Sequence, residues 1–275
     1  MKKILVPIDF SEDAENALHF AAAIGKKFNA AITLYHSYVL PVYASDLPLG
    51  MPSDAELEKS SMDGLTYAIN RFSKLYPEIK FDLSVNEGYA EDQISKTAKN
   101  VGADLIVMGT KGASGLREVL VGTITASVLD TAHCPVLAIP YGAKWKQFSR
   151  LVYATNYEEG DFQNVQSFIE FAKMFNAEVV ILHISDNNEQ RVYEVDAIER
   201  FKERLVEETK YGYIKFQVLG KMDIYEGLNA FIEQSGADLL AMTIRHRSFT
   251  QKLFERSMSK RMAYHSHLPL MIYHS

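Results

Sequence analysis

The chain repeats itself, and the repeat keeps its phase through four separate blocks. KKILVPIDF at 2–10 aligns with SRLVYATNY at 149–157 at an offset of 147, and the same offset lays FNAAITLYH (28–36) on FNAEVVILH (175–183). Further along the offset falls to 134. GADLIVMG (102–109) then meets GADLLAMT (236–243), and HCPVLAIP (133–140) meets HLPLMIYH (267–274). The surplus of 13 residues in the first half lies after His36, where Pro41, Pro48, Gly50 and Pro52 mark a loop. Blocks that preserve order and spacing make the halves homologous, so whatever fold suits one must also suit the other. At 275 residues the length also suits two domains. They are expected at 1–140 and 150–275, joined by YGAKWKQFSR (141–150), with Trp145 packing at the junction.

Within each half, short apolar strands alternate with amphipathic helices, the pattern of an α/β domain around a parallel sheet. In the first half Ile4–Pro7 reads as a strand. A helix follows from Ser11 to Phe28, with Ala14, Ala17, Leu18, Ala21, Ile24 and Phe28 on one face. Glu12 and Asp13 sit in its first turn, where negative charge suits the helix dipole. Ile32–His36 is the second strand, and Ser53 with Glu56 forms a capping box opening the second helix. Lys80–Val85, Leu105–Met108 and Val136–Ile139 complete five strands per domain.

Charge and cysteine content narrow the partners. The formal net charge of −6 argues against a general nucleic-acid or membrane-surface binder. A lone cysteine, Cys134, excludes an intrachain disulfide, suits a reducing compartment and reads as a small buried hydrophobe before Pro135. Five apolar residues between Lys3 and Asp9 are too few for a secretory core, and no apolar run approaches a membrane span. The expectation is a cytoplasmic protein with no nucleic-acid or membrane partner.

The first half carries GTKGASGLREVLVGT between Gly109 and Thr123, a G-x2-G-x9-G-[ST] pattern placed directly after the LIVM strand. Its last glycine opens a helix. Glycine lets backbone approach a ligand closely, and a helix start offers unpaired N–H groups and the positive end of a dipole to an anion. The competing account is that such glycines only punctuate a tight turn or allow close helix–strand packing.

An early P-x-D after the first strand, GADLIVMG, the spaced glycines and HCPVLAIP together resemble the universal stress protein family in its nucleotide-binding branch. The resemblance covers nearly the whole chain as two tandem copies. It implies two doubly wound parallel sheets of strand order 3-2-1-4-5, adenine nucleotide alpha hydrolase-like, with ATP bound where the glycines are kept. It also implies that the last strands, Val136–Ile139 and Leu270–Tyr273, pair as an intramolecular pseudo-dimer that covers two sheet edges and is open to further homodimerisation.

For that strand order the ligand crevice lies where the order reverses, between strands one and four. Pro7, Ile8 and Asp9 end one of these strands, and Met108 and Gly109 end the other. Gly109 and Gly112 would curl over phosphates, and Gly122, Thr123 and Ile124 would add helix-start N–H groups. By the family analogy Ser37 lies at an adenine edge; Ser114 and Thr125 are nearby hydroxyls. Lys111 is either a phosphate partner or a solvated side chain, and Asp9 either caps a helix or contacts ribose or a metal. The ligand implied is ATP, with Mg2+ or Mn2+ as a companion cation. Its occupancy would be read by an unidentified protein partner through the loop 109–123.

The second half serves as an internal control. There Gly109 becomes Thr243, Gly112 becomes His246, Gly122 becomes Arg256 and Asp9 becomes Asn156, so a second site of this kind is not expected. The basic run 245–261 reads as a solvated face or as an anion or partner site. No Walker lysine pattern, G-x-S-x-G elbow or H-E-x-x-H occurs, and no acid/base pair is evident. A binding protein is therefore expected rather than an enzyme. The alternatives are a nucleotide-independent scaffold and a slow ATP hydrolase.

Overall fold

A computed structural model describes residues 1–40, 52–110, 122–185, 192–220, 223–244 and 268–274. It divides into two compact units, Met1–Tyr141 and Gly142–Ser275.

The first unit runs β1 (Lys3–Pro7), α1 (Glu12–Phe28), β2 (Ala31–Tyr38), α2 (Asp54–Leu75), β3 (Phe81–Glu87), α3 (Ala90–Val101), β4 (Leu105–Gly109), α4 (Thr123–Thr131) and β5 (Val136–Ile139). These strands pair in parallel, in the order β3-β2-β1-β4-β5. Ile4, Leu5, Val6, Leu105, Ile106 and Val107 have no exposed surface, as strands covered on both faces require. Right-handed crossovers put α1 and α2 on one face and, after the reversal, α3 and α4 on the other. Side-chain contacts agree. Arg71 of α2 holds Glu15 of α1 through two bonds of 2.8 and 3.1 Å, and Ser95 of α3 meets Thr131 of α4 at 2.8 Å.

Local signals explain the helix ends. Ser11 caps α1 by accepting from the Ala14 N–H, and Asn29 closes it in the left-handed region at φ 51°. Ala14, Ala17, Leu18, Ala21 and Ile24 form its buried stripe. The Ser53–Glu56 capping box is fully formed. Cys134 is buried, and burial with the nearby Asp104 charge pushes its thiol up to about 12.

The second unit comprises β6 (Arg150–Ala154), α5 (Phe162–Lys173), β7 (Glu178–Ser185), α6 (Val192–Thr209), β8 (Ile214–Gly220), α7 (Ile224–Ser235), β9 (Leu239–Ile244) and β10 (Leu270–His274). Its order is β10-β9-β6-β7-β8, the same topology. The repeat extends to backbone detail. Positive φ recurs at Phe10 and Tyr157 (62° and 57°), at Asn29 and Asn176 (51° and 54°), and at Gly102 and Gly236 (66° and 64°). Asp104 accepts from the N–H groups of Lys2 and Lys3, and Asp238 does the same for Ser149 and Arg150. Trp145 packs on Phe148 and Phe175, at ring separations of 5.1 and 6.4 Å, within the second unit's aromatic cluster.

Candidate functional site

At the carboxyl ends of β1 and β4, where the strand order of the first unit reverses, a cavity of about 290 Å³ opens. Pro7, Ile8 and Asp9 line it from β1 and the turn beyond, Ser37 from β2, and Met108 and Gly109 from β4. Gly122, Thr123, Ile124 and Thr125 line it from the start of α4. The residues singled out in sequence at these positions therefore share one space. Lys111, Gly112 and Ser114 lie outside the described residues, as does the basic run 245–261.

Sheet register explains which side chains reach the cavity. Pro7 stands beside Tyr35 across β1 and β2, and Leu5 beside Ile106 across β1 and β4. Carrying that register two residues further puts Pro7 level with Met108. Residues level with one another in a parallel sheet share a face. Tyr35, Pro7 and Met108 thus make a floor facing α3 and α4, with Ala90 and Ile94 of α3 above it. Ile8, His36 and Gly109 alternate to the α1 side.

This alternation separates the two described glycines of the motif. A Cβ on Gly109 would meet the Cβ, carbonyl oxygen and carbonyl carbon of Asp13 at 3.1, 3.1 and 3.2 Å. Gly109 is glycine because the first turn of α1 presses against it, so close packing accounts for this position. Gly122 is different. Its backbone is extended (φ −67°, ψ 156°), and an added Cβ would meet only Thr110 O, at an ordinary 3.6 Å. Packing within the described chain gives no reason for glycine there. Gly122 is the N-cap of α4, no described side chain caps the helix, and its first turn holds no acidic residue. The positive end of that helix dipole faces the cavity with no acidic side chain in the first turn to oppose it.

Several polar groups are already engaged. Thr125 Oγ1 donates to Gly109 O at 2.9 Å, so this hydroxyl ties α4 to the end of β4. Asp9 Oδ1 accepts from Ser11 N at 3.1 Å and Ser11 Oγ at 2.5 Å, and Ser11 Oγ in turn accepts from Ala14 N. Asp9 thus holds the Ser11 cap in place while lining the cavity. Among the described residues no group of three or more His, Cys, Asp or Glu could hold a metal.

Ala14, Tyr35, Ala90 and Ile94 also line the cavity and carry no signal of it in the sequence. Each reads as an ordinary core position of a strand or helix. Only a comparison with the second half singles out Tyr35, whose counterpart at offset 147 is Leu182.

In the second unit the equivalent of Gly109 is filled. Thr243 Oγ1 lies 2.6 Å from Tyr153 Oη and accepts from Asn164 Nδ2 at 3.2 Å. The residue aligned with Asp13 there is Gly160, where an added Cβ would touch nothing within 4 Å.

A sequence model described as the universal stress protein family matches residues 1–140 and again 147–274. Universal stress protein MJ0531 of Methanocaldococcus jannaschii is 34% identical over 143 residues, covering 50% of this chain and 81% of that protein. Universal stress protein MJ0577 of the same organism is 33% identical over 152 residues, covering 50% of this chain and 94% of that protein. Among solved structures, a universal stress protein from Archaeoglobus fulgidus superposes with a TM-score of 0.71 at 20% identity, covering 98% of this chain and 95% of its own. That likeness concerns the fold.

Proposed function

The chain belongs to the universal stress protein family through both of its halves, and from that premise we propose that its first unit binds ATP at the β1/β4 crevice while its second unit does not. The observation that carries this reading is Gly122. It caps α4 at the cavity wall, has no packing reason among the described residues to be glycine, and leaves the helix-start N–H groups without a side-chain cap. A triphosphate supplies the acceptors such a terminus lacks.

The residues present suit that ligand. The Gly122 N–H is given to Thr110 O at 2.6 Å, so the N–H groups of Thr123 and Ile124 would take phosphate oxygens, and the Thr123 hydroxyl would add a donor. Ser37, Tyr35 and the apolar Ala90 and Ile94 offer the opposite end to a base. Between the two ends, the Asp9 carboxylate is the acidic group of the lining that would meet a ribose hydroxyl or a divalent cation carried in on the phosphates.

The proposal is binding rather than turnover. Among the described polar groups lining the cavity, Asp9 Oδ1, Thr125 Oγ1 and His36 Nδ1 are committed to Ser11, Gly109 O and Ile8 O. In this reading nucleotide occupancy acts as a signal to a protein partner in the stress response.

Isothermal titration of the full chain with ATP tests it. The wild type should bind, and Gly122→Arg, which copies the aligned Arg256, should lose binding while staying folded, with its melting temperature lowered by only about 1–4 °C for the lost N-cap glycine. Equal ATP affinity in the two proteins would place the ligand elsewhere. Phosphate release no faster from wild type than from Gly122→Arg is expected if the site only binds.

A further inference from the structure

Tyr35 is 1% exposed, lines the cavity, and its hydroxyl oxygen has no hydrogen-bond partner among the described residues. The hydroxyls of Thr97 and Ser37 stand around it and counter the upward push of burial on its pKa, yet neither completes a bond of acceptable geometry. A buried hydroxyl that completes no hydrogen bond costs on the order of 1–3 kcal/mol. A chain with no use for the group would do better with a plain hydrophobe.

The second unit is that alternative. At the positions of Tyr35, Ser37 and Thr97 it carries Leu182, Ile184 and Phe231. Leu182 has no exposed surface, so the fold accepts an aliphatic residue at this point of the strand. The polar set therefore disappears in the same copy that loses the glycines of the phosphate end. Two features on opposite sides of one cavity, kept together in one repeat and lost together in the other, belong to one ligand.

Position assigns the part of the ligand concerned. β2 and β4 are separated by β1, so Tyr35 lies about 10 Å from Met108 across two strand spacings. The start of α4 occupies the β4 side, which leaves the β2–α3 side for whatever lies beyond the phosphates. We propose that Tyr35 Oη, flanked by Ser37, is the hydrogen-bonding contact to the heterocyclic base of the bound nucleotide and sets the choice of base. The phenol can donate to a ring nitrogen or accept from an exocyclic amine.

This inference rests on the nucleotide reading above, and one titration series separates the two. Wild type, Tyr35→Phe and Gly122→Arg are titrated with ATP and with inorganic tripolyphosphate. Tyr35→Phe keeps the ring and removes one oxygen. It should weaken ATP binding by about 5- to 50-fold, the worth of one buried hydrogen bond, and leave tripolyphosphate affinity unchanged. Gly122→Arg should lose both ligands. ATP affinity unaltered in Tyr35→Phe would overturn the inference while leaving the site intact. A parallel fall for both ligands would reduce Tyr35 to a structural prop and equally overturn it. Failure of the wild type to bind ATP would bring down both readings.

Discussion

His36 Nδ1 lies 2.6 Å from the carbonyl oxygen of Ile8. A carbonyl only accepts, so Nδ1 carries a proton. His183 repeats the contact with Thr155 O at 2.9 Å. These ties fasten β2 to the turn after β1, and β7 to the turn after β6.

Both ties should therefore cost the same to break. His36→Phe and His183→Phe each keep a ring against Phe10 or Tyr157 but strand a carbonyl. Each should lower stability by about 1–2 kcal/mol in urea denaturation. Nitrogen NMR of both imidazoles should show the Nδ1–H tautomer. A ring with no proton on Nδ1 would refute the arrangement.

Gly109 and Gly122 should part company on substitution. Gly109→Ala drives a methyl into the Asp13 backbone, which cannot swing away, at about 1–3 kcal/mol. Gly122→Ala meets only an ordinary contact and should lose about 0.5–1 kcal/mol, the preference for glycine over alanine at an N-cap. Thermal denaturation of the two variants checks the ordering, which fails if Gly122→Ala melts at the lower temperature.

Asp238, 3% exposed, accepts from Ser149 N, Ser149 Oγ and Arg150 N and pairs with Lys146 at 2.6 Å. Burial alone would raise its pKa, but Lys146 and the N–H groups of Arg150 and Ser149 outweigh that and hold it below the usual value. A depressed carboxylate stabilises the fold above its unfolded pKa, and the contribution fades as pH falls through the folded one. Asp238→Asn should thus be about 2–4 kcal/mol less stable than wild type at neutral pH. The gap should close below about pH 4. A gap that is constant with pH would mean the charge contributes nothing.

The Tyr38 hydroxyl donates to Asp54 at 2.7 Å, joining the end of β2 to the start of α2. That bond, with some desolvation and the Asp54 charge, pushes Tyr38 up to about 12. The neutral phenol is the form that holds. Its contribution is present below the ordinary tyrosine value of about 10 and is lost as pH rises through 12. In an ultraviolet titration, Tyr38→Phe should remove one late-ionising phenol, and Asp54→Asn should move it back toward about 10.

Most of the fold was legible because periodicity and capping are local. Ser11, Ser53 with Glu56, and the apolar strands mark their elements with few neighbours involved. The repeat then supplied long-range order that a single copy would have left open. The crevice was legible through the strands that end there, Pro7–Asp9 and Met108–Gly109. Its floor was not, because Tyr35 in a strand and Ile94 in a helix follow the pattern of any core residue. What distinguishes Tyr35 is the lack of a described partner for its hydroxyl, a property of three-dimensional surroundings. Gly109 and Gly122 look alike in sequence for the same reason. Only the approach of Asp13 tells them apart.

That approach also fixes how the crevice can respond. With the α1 backbone seated on Gly109, one jaw is clamped to the sheet. The other jaw, at the start of α4, has no backbone pressed on it in this way: Gly122 has room for a methyl group, and the Thr125 hydroxyl and Gly122 N–H hold that end by single hydrogen bonds to Gly109 O and Thr110 O. Under the proposal above, a ligand in the crevice would therefore press more easily on the start of α4 than on α1.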